Sequence, residues 1–151
     1  MRNIHIIIAA AVILASCTSR PDVILSEGDI WSAPGKYENL LFTGRAKTDD
    51  GAKASIWIGS DKGCNRGYEI LIGNGPIDGS RKTGSLASVR NLYRSLAKDG
   101  EWFDFNVSVR GRNISVAIND VDVVCYTEPS EPYRTEEHKM QRLGKGKVLI
   151  K

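Results

Sequence analysis

A stretch of alternating apolar and polar residues constrains the fold of this chain more than any other feature. From Trp102 to Arg110 every second residue is apolar, and the same period of two returns from Asn113 to Asn119. A period of two is typical of a β-strand with one buried face. The runs are separated by Gly111 and by an Asn-Asp pair at 119–120, and Asn and Asp tolerate the positive φ of tight hairpins. With the apolar run that follows, the stretch predicts a three-stranded antiparallel meander that packs its apolar face on another sheet.

Shorter runs with the same period occur along much of the remaining chain. Strands are predicted near residues 30–31, 37–48, 54–60, 67–72, 83–86 and 147–150, with turn-forming residues between them. Residues 89–98 are predicted to add one or two helical turns. Many short strands without βαβ spacing predict an all-β sandwich or jelly roll of two antiparallel sheets, with a barrel as the alternative.

The first residues have the composition of an export signal. Arg2 precedes an apolar run from Ile4 to Leu14, which is too short for a stop-transfer helix. Leu14-Ala15-Ser16-Cys17 resembles the lipobox of bacterial lipoproteins, which implies that Cys17 becomes the lipid-carrying first residue of the mature chain. An ordinary signal peptide followed by an incidental Cys is the alternative. We therefore expect a signal peptide at 1–16, a lipidated tether at 17–29, a domain at 30–151, and attachment to a membrane of the bacterial cell envelope.

Composition argues against several other classes of protein. The net charge is +3 and the charged residues are interspersed, so no nucleic-acid partner is expected. One His remains outside the predicted signal peptide, His138, and no Cys or His lies at ligand spacing from it. Neither a metal site nor a cofactor is predicted, and a lone His in a polar segment does not suggest a Ser-His-Asp triad.

Two cysteines remain if Cys17 carries lipid. Disulfides persist in exported proteins, and an even number of thiols raises the odds that Cys64 and Cys125 form one. The alternative is two separate small buried side chains. The sequence leaves both possibilities open, because it does not give the distance between their Cα atoms.

Trp57 and Glu69 form the strongest candidate site. Each belongs to an alternating strand, and each lies on the face opposite the apolar residues of its own strand. An aromatic ring beside a carboxylate on an open sheet face is a common way to build a sugar site. The ring stacks on the sugar, and the carboxylate binds hydroxyl groups or acts as a general acid or base. Ordinary residues on a solvated sheet face give the same pattern.

Several blocks of sequence, taken in order, resemble the 3-keto-disaccharide hydrolase domain family. The blocks are Gly67–Ile70, Lys82–Leu86, Gly100–Trp102, Val109–Ile114, Ile118–Asn119 and Val124–Pro129. The resemblance covers roughly residues 30–150 and implies a concanavalin A-like jelly roll with a concave, glycan-holding sheet. It also implies hydrolysis of, or binding to, 3-keto-disaccharides or related glucosides.

The chain departs from the family pattern at several positions. Leu71 stands where the family usually has Gln, and Asn74 stands near a usual Asp. The opening strands and the closing block are short or missing, which implies a domain shortened at both ends. Glu69 is the part of the acidic pattern that remains, and we expect it to be the catalytic acid or base.

Three interpretations of function follow. The first is a glycoside hydrolase in which Glu69 acts and Trp57, Asn74, Lys82 and Tyr93 contact the substrate. The second is a non-catalytic carbohydrate-binding or scaffold lipoprotein that uses Trp57 and Tyr93 for stacking. The third is a remnant with an uncovered core and an exposed strand edge.

Overall fold

Two antiparallel sheets face each other in the computed structural model, which describes residues 2–10, 22–75 and 81–151. Within these ranges the chain forms ten strands: β1 Ile4–Ala10, β2 Asp22–Leu25, β3 Trp31–Ser32, β4 Leu40–Thr48, β5 Lys53–Ser60, β6 Tyr68–Gly73, β7 Phe103–Arg110, β8 Asn113–Ile118, β9 Val121–Thr127 and β10 Lys147–Ile150. A single 3-10 turn spans Glu136–His138. The larger sheet has the order β2-β1-β4-β7-β8-β9, and the smaller has the order β3-β10-β5-β6. The predicted all-β jelly-roll sandwich is confirmed.

The predicted meander forms the β7-β8-β9 half of the larger sheet. Strand β7 pairs with β8 from Phe105↔Ile118 to Arg110↔Asn113, and β8 pairs with β9. Asn119 and Asp120 both have positive φ in the β8–β9 turn, as the hairpin argument requires. The alternation therefore determined both the strands and the turn between them.

The core lies between the sheets and is made of the apolar residues that alternation placed on one face of each strand. On β7 the buried residues are Phe103, Phe105, Val107 and Val109. The ring of Trp31 on the smaller sheet stacks on that of Phe42 on the larger sheet with centroids 6.0 Å apart, and Phe42 lies 5.5 Å from Phe105. The Trp31–Phe42 contact joins the two sheets by aromatic packing, and the Phe42–Phe105 contact extends that packing within the larger sheet.

Residues 89–98 are not helical. They follow a series of bends and turns, so the expectation of one or two helical turns is wrong. Ser95 Oγ accepts from the Ala97 backbone N–H at 3.0 Å and donates to Asn74 Oδ1 at 2.9 Å. Side-chain hydrogen bonds of this kind compete with helix formation.

The first strand lies in the segment that the sequence assigns to a signal peptide. Strand β1 pairs with β2 on one side and with β4 on the other, and Ile4 and Ile6 are buried. The fold of the unprocessed chain therefore includes residues that cleavage before Cys17 would remove. Cys17 lies outside the described residues, and its lipidation stays a prediction. No helix in the described ranges is long and apolar enough to cross a membrane.

The expected disulfide between Cys64 and Cys125 is absent, and both residues are free thiols. Cys125 is an exposed residue of β9 in the larger sheet, beside Val124, whose side chain is buried in the core. Cys64 lies in the loop that follows β5 of the smaller sheet. Because Cys125 faces outward from the larger sheet and Cys64 lies in a loop of the smaller sheet, the two thiols do not meet.

Candidate functional site

The two residues of the predicted sugar site are neighbours on the outer face of the smaller sheet. Strands β5 and β6 pair antiparallel, and Trp57 and Glu69 are direct register partners. The flanking residues of both strands, Ile56, Ile58, Tyr68 and Ile70, are buried in the core. Side chains directly opposite each other on one face of an antiparallel pair have Cβ atoms about 4.5–5.5 Å apart. The structure therefore brings the indole and the carboxylate together.

Glu69 is held by a second side chain of β5. The hydroxyl of Ser55 donates a hydrogen bond to Oε1 of Glu69. The backbone of Ser55 in turn pairs with that of Lys151, with N···O distances of 2.8 and 3.0 Å. Ser55 thus fixes one carboxylate oxygen of Glu69.

Cys64 lies at the margin of the same face. Partial burial raises the pKa of the Cys64 thiol, Lys151 opposes this rise, and the negative charges of Asp61 and Glu69 reinforce it. The loop that carries Cys64 is therefore close enough to Glu69 for their charges to interact.

An apolar side chain completes the outer face on the other side of Trp57. Leu149 of β10 is the register partner of Trp57 and is 1% exposed. Its chain neighbours Val148 and Ile150 belong to the core between the sheets. Leu149 is therefore covered and not available to a ligand, and the accessible part of the face consists of the partly exposed indole of Trp57 and the hydrogen-bonded carboxylate of Glu69. An aromatic ring beside a carboxylate suits a ligand with both apolar and hydroxyl-bearing surfaces.

Asn74 does not project toward Glu69 as a free ligand group. Its Nδ2 donates to Thr48 Oγ1 at 3.1 Å and to Asp99 Oδ1 at 3.2 Å. Its Oδ1 accepts from Ser95 Oγ at 2.9 Å and from the hydroxyl of Thr83. A side-chain amide has two donors and one acceptor oxygen with two lone pairs, so these bonds occupy its full capacity. Asn74 therefore stabilises the structure at the far end of β6 by connecting several segments through hydrogen bonds.

Lys82 and Tyr93 are also separate from the Trp57–Glu69 pair in their contacts. The ammonium of Lys82 donates to the carbonyl oxygen of Gly75, which closes the loop after β6. Tyr93 is 72% exposed. Neither residue has a described contact with Trp57 or Glu69.

A buried polar cluster that the sequence analysis missed links the two sheets to the segment after β9. The Tyr68 hydroxyl donates to Glu128 Oε2 at 2.5 Å and accepts from Arg134 Nη2 at 2.7 Å. The same guanidinium nitrogen donates to the Tyr126 hydroxyl at 3.0 Å, and Glu128 Oε2 also accepts from the Leu143 backbone N–H at 2.9 Å. Burial, followed by the hydrogen bond to Glu128, raises the pKa of Tyr68 far above its usual range. Alternation correctly buried Tyr68 but gave no signal for its polar partners.

A hydrogen-bonded Ser–His pair is a second feature that the sequence did not indicate. Ser88 Oγ lies 2.9 Å from His138 Nε2, and His138 Nδ1 lies 3.0 Å from Thr135 Oγ1. Ser88 has φ of 61°, an unusual conformation for a residue with a side chain. The third member is a hydroxyl and not a carboxylate, so the arrangement lacks the charge that stabilises an imidazolium in a hydrolase triad. Within the described ranges, no three His, Cys, Asp or Glu side chains converge as a metal-binding set.

Comparison with known proteins gives one family and a set of shared folds. Residues 22–151 match the model of the 3-keto-alpha-glucoside-1,2-lyase-like domain family. A proposed glycosyl hydrolase from Parabacteroides distasonis superposes with a TM-score of 0.68 at 14% identity, over 79% of this chain and 67% of its own. A second one from the same organism gives 0.56 at 17% identity, over 83% and 79%.

A more distant structure is the carbohydrate-binding module CBM66 from Bacillus subtilis, with a TM-score of 0.48 at 8% identity, over 80% of this chain and 85% of its own. No curated protein sequence shows significant similarity to the chain. At these identities the solved structures show a shared fold alone.

Proposed function

Because the chain belongs to the 3-keto-alpha-glucoside-1,2-lyase-like domain family, we propose that it cleaves a glycosidic bond in a 3-keto-disaccharide or a related glucoside. The proposed site is the outer face of the smaller sheet. The observation that carries the proposal is the direct pairing of Trp57 with Glu69 across β5 and β6.

The chemistry assigned to each residue follows from its contacts. The indole of Trp57 offers a flat apolar surface on which the apolar face of a sugar ring stacks. Glu69 has one oxygen engaged by the Ser55 hydroxyl, which leaves the other free to exchange a proton with the substrate. A general acid or base positioned in this way contributes about 10²–10⁴-fold to a rate.

Non-catalytic sugar binding is the second candidate function, and a specific observation favours it. Glycosidases ordinarily use two carboxylates that flank the scissile bond. The cross-strand and same-face neighbours of Glu69 on β5 and β6 are Trp57, Ser55 and Leu71, and Asn74 is engaged elsewhere. A single carboxylate is enough for hydrogen bonding to hydroxyl groups.

Product release by the wild-type chain separates the two functions. We expect NMR to detect cleavage products from 3-keto-glucosides or from the parent glucosides. Binding without product, together with weaker binding in Trp57→Ala, would assign the face to recognition alone. Trp102→Ala is the matched control, because Trp102 is a half-exposed indole on the larger sheet with Arg45 5.9 Å from its ring centroid.

Membrane anchoring forms part of the proposal. The motif Leu14-Ala15-Ser16-Cys17 after an apolar run supports lipidation of Cys17 in the bacterial envelope. Lipid on Cys17 would hold the domain, whose family match begins at residue 22, near the membrane surface.

A further inference from the structure

A strongly basic cavity opens at the end of β5. It has a volume of about 530 Å³ and lies between the turn at Lys36, the loop after β5 and the start of β10. Five cationic residues line it: Lys36, Lys62, Arg66, Lys145 and Lys147. Asp61 is the one carboxylate among the described residues that line it. The lining residues therefore carry a formal net charge of +4. The whole chain has a net charge of +3, so the remaining residues together have a net charge of −1.

The Asp61 carboxylate is hydrogen-bonded within its own loop, and among the described residues it forms no salt bridge with the cations of the cavity. Its Oδ1 accepts from the backbone N–H groups of Gly63 at 3.0 Å and Asn65 at 2.9 Å. The hydrogen bond from the Asn65 backbone is the largest cause of the lowered pKa of Asp61, and the charge of Arg66 contributes to it. The carboxylate is thus committed to turning the chain at the mouth of the cavity.

Arg66 is fixed in place by backbone oxygens. Its Nε donates to the Gly59 carbonyl at 3.1 Å, and its Nη2 donates to the Lys145 carbonyl at 2.6 Å. These bonds tie the two walls of the cavity together through neutral backbone oxygens, so Asp61 is the one carboxylate among the described lining residues that offsets the guanidinium charge. In the described part of the chain, none of the five cations forms a salt bridge within 4.0 Å.

Glycines allow the two walls to approach so closely. A Cβ at Gly146 would lie 2.3 Å from the carbonyl carbon of Gly59, and a Cβ at Gly59 would lie 3.1 Å from the Gly144 oxygen. The backbone walls of the cavity are therefore part of the packed fold, whereas Lys36, Lys62 and Lys145 are exposed side chains around it. Four lysines around one fixed guanidinium, with a single carboxylate among the described lining residues, leave an excess of positive charge that is suited to an anionic ligand.

We propose that this basic cavity binds the carboxylate group of an acidic saccharide. This inference rests on the proposed function, because it uses the Trp57–Glu69 face as the site of the neighbouring sugar ring. Ser60 at the cavity and Trp57 are three residues apart on β5, which corresponds to about 10 Å along a strand. Gly59 between them has a positive φ of 65°, and the pairing with β10 shifts register between Lys147 and Leu149, so the regular alternation of faces is interrupted there. In the proposal, a saccharide of a few rings covers this distance.

Electrostatic interactions favour one orientation of the bound ligand on the protein. Glu69 repels an anionic group from the Trp57 end, and the five cations attract it to the cavity end. The loop after β5 carries both Cys64 and the cavity residue Asp61, and the charges of Asp61 and Glu69 reinforce the rise in the pKa of the Cys64 thiol that partial burial causes.

The test uses the full chain and a matched pair of saccharides. Binding is measured by calorimetry for cello-oligosaccharides and for glucuronic-acid oligosaccharides of the same length and linkage. The variant Lys36→Glu/Lys62→Glu reverses two charges at the cavity, and Lys98→Glu/Arg112→Glu applies the same charge change at two exposed sites elsewhere. We expect the acidic ligand to bind more tightly than the neutral one and to lose about tenfold or more in the cavity variant alone, the equivalent of one hydrogen bond to a charged group. Raising the salt concentration should weaken wild-type binding of the acidic ligand selectively. This measurement uses no variant, so it does not depend on how the variants fold.

Each result separates the cavity from the proposed function. Equal affinities for the two saccharides would overturn the cavity assignment and leave the proposed function standing. Tight acidic binding that Trp57→Ala does not alter would support the cavity and overturn the Trp57 face. Binding to phosphatidylglycerol vesicles without binding to the acidic saccharide would overturn the saccharide assignment in favour of a membrane surface.

Discussion

Trp57 on β5 and Glu69 on β6 lie directly opposite each other in the antiparallel register of the smaller sheet. The pairing places a carboxylate and an indole ring side by side on the outer face of the sheet. Trp57 and Glu69, which two separate sequence patterns indicate, therefore belong to one candidate site.

Substituting Glu69 tests the chemistry of that site. If the wild-type chain cleaves a glucoside, Glu69→Gln should lower the rate about 10²–10⁴-fold. The melting temperature should stay nearly unchanged, because an amide oxygen can still accept the hydrogen bond from Ser55. Glu101→Gln, at an exposed position before β7, is the control. Full activity in Glu69→Gln would move the catalytic group elsewhere.

Phe105→Ala tests the packing of the meander. Phe105 is 3% exposed and contacts the ring of Phe42. Emptying a buried aromatic site typically costs about 3–5 kcal/mol of the free energy of unfolding. Urea titration should show this loss, whereas Val121→Ala at an exposed position of β9 should stay within about 0.5 kcal/mol. A loss below about 1 kcal/mol for Phe105→Ala contradicts the packing described above.

The thiol of Cys64 should be less reactive in the folded protein than in the unfolded chain. Partial burial raises its pKa, so a smaller fraction is thiolate at any given pH, and the thiolate is the nucleophile. In a Cys17→Ser/Cys125→Ser variant, the midpoint of alkylation rate against pH should lie higher in buffer than in urea. Coincident midpoints in buffer and in urea would refute the effect of burial.

The same raised pKa of the Cys64 thiol predicts a contribution to the stability of the folded protein. This contribution is present below the pKa of the thiol in the unfolded chain and is lost as pH rises through its pKa in the folded protein.

The first strand and the predicted signal peptide make a joint prediction. In a Cys17→Ser chain, which cannot be lipidated, Ile6→Ala should lower the free energy of unfolding by about 2–5 kcal/mol, because Ile6 is 1% exposed in β1. Ile24→Ala, at an exposed position of β2, is the control. Mass spectrometry of the exported wild-type chain should show a mature N-terminus at lipid-modified Cys17. An exported chain that retains residues 4–10 would refute processing, and an Ile6→Ala loss below about 1 kcal/mol would refute the packing of β1.

The sequence by itself determined the strands and the faces of their side chains. A strand has a side-chain period of two, so local alternation is enough to bury Phe105 and to turn Trp57 and Glu69 away from the core. Turn residues such as Asn119 and Asp120 mark the hairpins for the same local reason, since their side chains tolerate positive φ. The all-β sandwich follows from these local signals, because each one-sided sheet needs a partner.

The tertiary structure decided which residues meet. Whether Glu69 lies opposite Trp57 or two positions away depends on strand register, which alternation leaves free in steps of two. Asn74 and Glu128 bind partners 21 to 60 residues distant in sequence, and no local pattern encodes such contacts. The basic cavity joins Lys36 to Lys147 across more than 100 positions of the sequence, and the two free cysteines lie apart, Cys64 in the loop after β5 and Cys125 on β9. Contacts of this kind depend on which strands pair with each other. That pairing is selected by the free energy of the whole fold and not by any local stretch of sequence.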